Sequence, residues 1–121
     1  MRKVFIVDDD EGICEFLTAL LTEEGFQVSA AYDSRKALEL LHQEEESVVL
    51  LDLGRPPSGV PNVHAWLEEV HQLSRHQVIA MSASAPATVG CQLLGESLIT
   101  AFLSKPFDVD DVLAAIQQVA T

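Results

Sequence analysis

Short apolar runs alternate along this chain with stretches whose apolar residues recur at helical spacing, and no other feature constrains the fold as much. The clearest run is Val48-Val49-Leu50-Leu51, closed by Asp52. Four apolar residues without a polar break fit a strand buried on both faces, as in a parallel sheet covered by helices. Lys3 to Val7 is a second such run, ended by Asp8-Asp9-Asp10-Glu11. Val78-Ile79-Ala80-Met81, ended by Ser82, is a third. Ala101-Phe102-Leu103, followed by Ser104-Lys105-Pro106-Phe107, is a fourth. Gln27 to Ala31 is short and partly polar, which suits an edge strand.

Helical stripes fill the gaps. Ile13, Phe16, Leu17, Leu20 and Leu21 are spaced for one helix face, and Gly25 is a natural stop. Asp33 or Ser34 can cap a second helix, running to about His42 and buried through Ala37, Leu38 and Leu41. Asn62 is a candidate cap for a third, with Val63, Trp66, Leu67 and Val70 inward. Ser84, with Pro86 in the first turn, opens a fourth whose stripe is thin and contains Gly90. Asp108 caps the final helix, with the face Val109, Val112, Leu113, Ile116 and Val119. Strict alternation of strand and helix implies parallel strands joined by right-handed crossovers. The expected fold is therefore α/β, a five-stranded parallel sheet of order 2-1-3-4-5, doubly wound and flavodoxin-like, with five helices.

Length allows one domain, residues 1–121, and 48% hydrophobic residues support a packed core. No apolar run approaches the roughly 20 residues that span a bilayer, and the N-terminus turns acidic too early for a signal peptide. A soluble, cytoplasmic protein without membrane contact is the expectation. A net charge of −12 opposes nucleic-acid binding but suits a divalent cation if the acids cluster. Cys14 and Cys91 form no CxxC pair and are read as reduced. His42, His64, His71 and His76 lack metal spacing and are expected at the surface. Trp66 is read as core, and Glu44-Glu45-Glu46 as a solvated loop.

The polar residues that end the strands are Asp8 and Asp9, Asp52, Ser82 and Lys105, all at one edge of the sheet. Carboxylates brought together repel unless a cation neutralises them. Oxygen donors without His or Cys select a hard ion, and Mg²⁺ fits best. Lys105 adds a point charge suited to a phosphoryl oxygen, and Ser82 a hydroxyl donor. The set suits a phosphoryl group in transfer, with an Asp as nucleophile. Asp10 and Glu11 are read as supporting the first turn of the first helix.

Over essentially its whole length the chain resembles the receiver domain of two-component response regulators. Val7-Asp8-Asp9, Leu50-Leu51-Asp52, Met81-Ser82-Ala83 and Lys105-Pro106-Phe107 carry the resemblance, in this order at successive strand ends. The resemblance implies that Asp52 accepts a phosphoryl group from a histidine kinase, a histidine phosphotransfer protein or a small donor. It implies Mg²⁺, with Mn²⁺ or Ca²⁺ as substitutes, held directly by Asp9, through water by Asp8, and by Asp52 and the Gly54 carbonyl. Lys105 would pair with the phosphate, across a cis Lys105–Pro106 bond. Ser82 would turn inward, Phe102 would follow as the aromatic switch, and the fourth helix, last strand and final helix would present a changed surface to a downstream protein or output domain. Such a domain is regulatory, catalysing only its own phosphorylation and dephosphorylation, as a monomer or a weak phosphorylation-dependent dimer. It stands alone, shuttles phosphate in a relay, or is cut from a longer protein after Thr121.

Arg55 after Gly54, the doubled Pro56-Pro57, and Leu98-Ile99 in place of Gly-Ala depart from the family pattern. Two rival readings stand beside it. A pseudo-receiver would bind partners without phosphorylation, and Arg55 keeps that reading open. A haloacid dehalogenase-like phosphohydrolase would use Asp8, since Asp8-Asp9-Asp10-Glu11 approaches the Asp-x-Asp-Gly motif, with Glu11 where Gly is required.

Overall fold

Alternate side chains of each central strand feed two separate cores, which is what a sheet with helices on both faces demands. The computed structural model describes residues 3–53, 63–82, 98–104 and 107–120. Its strands are β1 (Lys3–Val7), β2 (Gln27–Ala31), β3 (Ser47–Asp52), β4 (His76–Ser82) and β5 (Ala101–Ser104). Its helices, among the described residues, are α1 (Glu11–Glu23), α2 (Ser34–Leu41), α3 (Val63–Gln72) and α4 (Val109–Ala120). The sheet is parallel throughout, in the order β2-β1-β3-β4-β5. The helix read from Ser84, the Asn62 cap and Cys91 lie outside the described residues.

On one face Val4, Ile6, Val48, Leu50, Ile79 and Met81 pack under α1 and α4. On the other, Phe5, Val7, Val49, Leu51, Val78 and Ala80 pack under α2 and α3. Each fully buried Leu or Ile of this kind contributes about 2 kcal/mol. Ile99 joins the α2–α3 side, and the amide of Thr100 donates to the Val78 carbonyl at 2.8 Å. Ile99, which departs from the family pattern, is buried in this core.

Capping chemistry sets the helix ends as the sequence leads one to expect. Asp33, not Ser34, caps α2, accepting from the Lys36 amide at 2.9 Å. Asp108 and Asp111 exchange two backbone-to-carboxylate bonds, of 2.9 and 3.1 Å, at the start of α4. At the end of α1, Gly25 takes φ +96°, the Gly25 amide donates to Thr22 and the Phe26 amide to Leu21. That is a Schellman motif, and its left-handed position favours glycine.

Four expectations need correction. Phe16 is 48% exposed and Val109 36%, so the buried stripe of α1 is Cys14, Leu17 and Leu21, and that of α4 begins at Val112. β4 begins at His76, two residues before its apolar run. His76 is not a surface residue: it is half-buried between Ser47 and the Leu41 carbonyl. Glu44 is half-buried and pairs with Lys3 at 3.0 Å, so only Glu45 and Glu46 of the charge run are exposed. Trp66 is core as expected, and its indole N–H donates to the Ser34 carbonyl at 2.8 Å, tying α3 to the start of α2.

Candidate functional site

The register of the central strands decides where the acids meet. Val7 of β1 is paired with Leu51 of β3. The next residues along the two strands are Asp8 and Asp52, so both carboxylates leave the sheet at its C-terminal edge, side by side. In open α/β sheets this edge, between the strands where the winding reverses, is where ligands bind. One carboxylate oxygen from each of Asp8, Asp9 and Asp52 lies within 4.8 Å of the others. Asp8 is 2% exposed, Asp52 is half-buried and Asp9 is exposed, so the cluster is open to solvent on one side.

The donor set fits a hard divalent cation. All three groups offer anionic oxygen, and none offers nitrogen or sulfur. Ligand oxygens around one octahedral Mg²⁺ stand about 3 to 4.2 Å apart, so small side-chain rotations bring this cluster onto one ion. Three carboxylates supply too few ligands for a closed cage, which leaves positions for water and for a substrate oxygen.

The loop that carries two of the acids is tightly tied. The Asp8 amide donates to the Ala31 carbonyl of β2 at 3.2 Å. Asp8 Oδ1 accepts from the Asp10 amide at 2.9 Å. Asp10 caps α1, its own Oδ1 accepting from the Ile13 amide at 3.1 Å. The Cys14 thiol is buried and donates to the Asp8 carbonyl at 3.3 Å. Asp10 thus supports the first turn of α1 as the sequence suggests, whereas the Cys14 tie is one the sequence reading lacks. A signal was present, since Cys14 is in phase with Leu17 and Leu21, which puts its thiol on the side of the helix facing β1.

Of the other expected site residues, Ser82 ends β4 with its Cα paired to Ser104 of β5. Phe102 pairs with Ala80 and packs, half-buried, against the α2–α3 core. Gly54, Arg55, Lys105 and Pro106 lie outside the described residues. Lys105 directly follows β5, and Gly54 follows Leu53, whose amide donates to the Met81 carbonyl at 2.9 Å. No helix among the described residues is long and apolar enough to cross a membrane.

Comparison with known proteins agrees with this architecture. A family model described as the response regulator receiver domain matches residues 4–117. A CheY-like response regulator receiver domain protein from Methanospirillum hungatei JF-1 is 24% identical, with a TM-score of 0.85 over 98% of this chain and 93% of its own. The chemotaxis protein CheY4 of Vibrio cholerae is 24% identical, with a TM-score of 0.80 over 98% of each chain. The signal receiver domain of an HD domain-containing protein from Pseudomonas fluorescens Pf-5 is 26% identical, with a TM-score of 0.81 over 97% of this chain and 85% of its own.

Proposed function

This chain belongs to the response regulator receiver domain family, and on that premise we propose that it is a phosphoacceptor switch of two-component signalling, with Asp52 as the acceptor. The family is regulatory, acting between a kinase and an output partner. One observation carries the assignment: Asp52 ends the central strand β3 with an oxygen within 4.8 Å of oxygens of both Asp8 and Asp9.

In the reaction, one Asp52 oxygen forms a bond to phosphorus while the P–N bond of a phosphohistidine breaks. The electron pair of that bond stays with the imidazole nitrogen, and the product is an acyl phosphate on Asp52. A small donor such as acetyl phosphate loses its P–O bond in the same way. Asp8, Asp9, Asp52 and the Gly54 carbonyl would hold Mg²⁺, which would supply positive charge to the phosphoryl oxygens. The chain's own groups do the positioning. Asp8 is buried and tied at its amide, its carbonyl and its carboxylate. Lys105 supplies a cation to the phosphate and Ser82 a hydroxyl donor. Phe102 then repacks, and the segment between β4 and β5, with β5 and α4, changes the surface that a downstream protein or output domain reads. Phosphate acts as a ligand that shifts the population of two packings.

The test is labelling by acetyl phosphate with Mg²⁺, followed by mapping of the modified residue. Label is expected on Asp52 and absent from Asp52→Asn. Label that persists in Asp52→Asn, or that maps to Asp8 as a phosphohydrolase requires, overturns the reading. A wild-type chain that takes no label is a pseudo-receiver.

A further inference from the structure

Asp10 is bonded both to Asp8, an acid of the site, and to the N-terminal turn of α1. Its amide donates to Asp8 Oδ1 at 2.9 Å. Its carboxylate accepts from the Ile13 amide at 3.1 Å, and its carbonyl from the Cys14 amide at 3.1 Å. The backbone at Asp10 is extended, at φ −88° and ψ 109°, which is the conformation of a helix N-cap. The amide of the same residue points back at the Asp8 carboxylate. Asp10 thus joins the cap of the helix to the first acid of the site.

Gly12 is a second, independent sign of the same constraint. A Cβ built on Gly12 would lie 3.2 Å from Asp10 Oδ1, tighter than ordinary van der Waals contact. Gly12 is the second residue of α1, where alanine has the higher helix propensity. The absence of a side chain at this position leaves the capping carboxylate its room.

We infer that Asp10 is a positioning residue for the cation site: its cap on α1 fixes the amide that orients the Asp8 carboxylate, and Gly12 keeps the place of that cap open. The inference rests on the proposed Mg²⁺ site. Asp10 acts here through geometry and not through its charge, because the group that touches Asp8 is its backbone amide. An asparagine caps a helix as well as an aspartate but carries no charge, and this separates the two causes.

The experiment is calorimetric titration of Mg²⁺ into the whole chain, with the thermal midpoint of each protein measured alongside. Asp10→Ala is expected to weaken Mg²⁺ binding about fivefold, the equivalent of a lost cap. Asp10→Asn is expected to stay within about twofold of wild type. Gly12→Ala should weaken binding while leaving the melting temperature unchanged or higher, since alanine favours the helix. A purely structural role predicts the opposite, with affinity following stability. Asp10→Asn losing as much affinity as Asp10→Ala overturns the inference, because charge is then the cause. Full affinity in both Asp10→Ala and Gly12→Ala overturns it too, with the Mg²⁺ site intact. A wild-type chain that binds no Mg²⁺ removes the site itself, and the inference with it.

Discussion

Ser47 and His76 meet on the first rung of the β3–β4 ladder, with the serine hydroxyl oxygen 2.8 Å from Nδ1 of the ring. The ring's Nε2 lies 2.9 Å from the Leu41 carbonyl at the end of α2. A carbonyl only accepts, so Nε2 carries the proton and Nδ1 accepts from the Ser47 hydroxyl. The neutral imidazole thus ties α2, β3 and β4 together at the sheet edge opposite the acids.

Burial pushes the His76 pKa below its ordinary 6.5; the Leu41 hydrogen bond works against that, and the Arg75 charge adds to it. A ring held neutral in the fold but free to charge when unfolded stabilises the protein fully above pH about 6.5. That contribution is lost as pH falls through the lower native value. Urea melts taken from above pH 6.5 to about pH 5 should show falling stability, and His76→Gln should flatten that part of the profile. A His76→Gln profile parallel to wild type would refute the assignment.

Ser47 is 4% exposed. Ser47→Ala removes the donor to Nδ1 and should cost about 1 kcal/mol by urea denaturation, with Mg²⁺ affinity unchanged.

Arg75 closes the other side of this corner. Its Nε donates to the Glu44 carbonyl at 2.8 Å, and one Nη to the carbonyls of His42 and Leu41 at 2.7 and 3.2 Å. These are carbonyls at and just beyond the end of α2, which the helix itself leaves unpaired. Arg75→Met should cost about 2 kcal/mol, and Arg75→Lys should recover less than half, since an ammonium cannot match the planar fork.

The acid cluster makes a prediction about the metal-free protein. Three carboxylates within 4.8 Å repel one another, so Asp52→Asn should raise the melting temperature in the absence of Mg²⁺. Wild type should gain about 1.4 kcal/mol, or about 5 °C, at Mg²⁺ tenfold above its Kd, and Asp52→Asn should gain little. Equal gains in both proteins would place the cation elsewhere.

Neighbours on α1 test the corrected stripe. Leu17 is fully buried, and Leu17→Ala should cost about 3 kcal/mol. Phe16→Ala should stay within about 0.5 kcal/mol, because that ring is 48% exposed. Urea denaturation of both variants decides it.

Strand and helix identity was readable before any coordinates because it rests on local chemistry. The unbroken run Val48–Leu51 needs cover on both faces, and Asp33, Asp108 and Gly25 mark helix ends by hydrogen bonds that span a few residues. The errors fall where neighbours far along the chain decide. Phe16 fits the helical period as well as Leu17, and only the packing of α1 on β1 and β2 excludes it. His76 reads as an ordinary polar residue, and only the β3–β4 register presents Ser47 to its ring.

Periodicity and capping act within single segments, so the order of elements, the parallel sheet they build and the acids that end each strand could be read from the residues alone. That order already gathered Asp8, Asp9 and Asp52 at one sheet edge; tertiary packing added how near they stand, with oxygens within 4.8 Å, and that the amide of Asp10 holds the first of them. Those distances follow from the pairing of Val7 with Leu51 and from the seating of α1 over the sheet edge. Such relations are set by cooperative packing of remote segments, which no local pattern encodes.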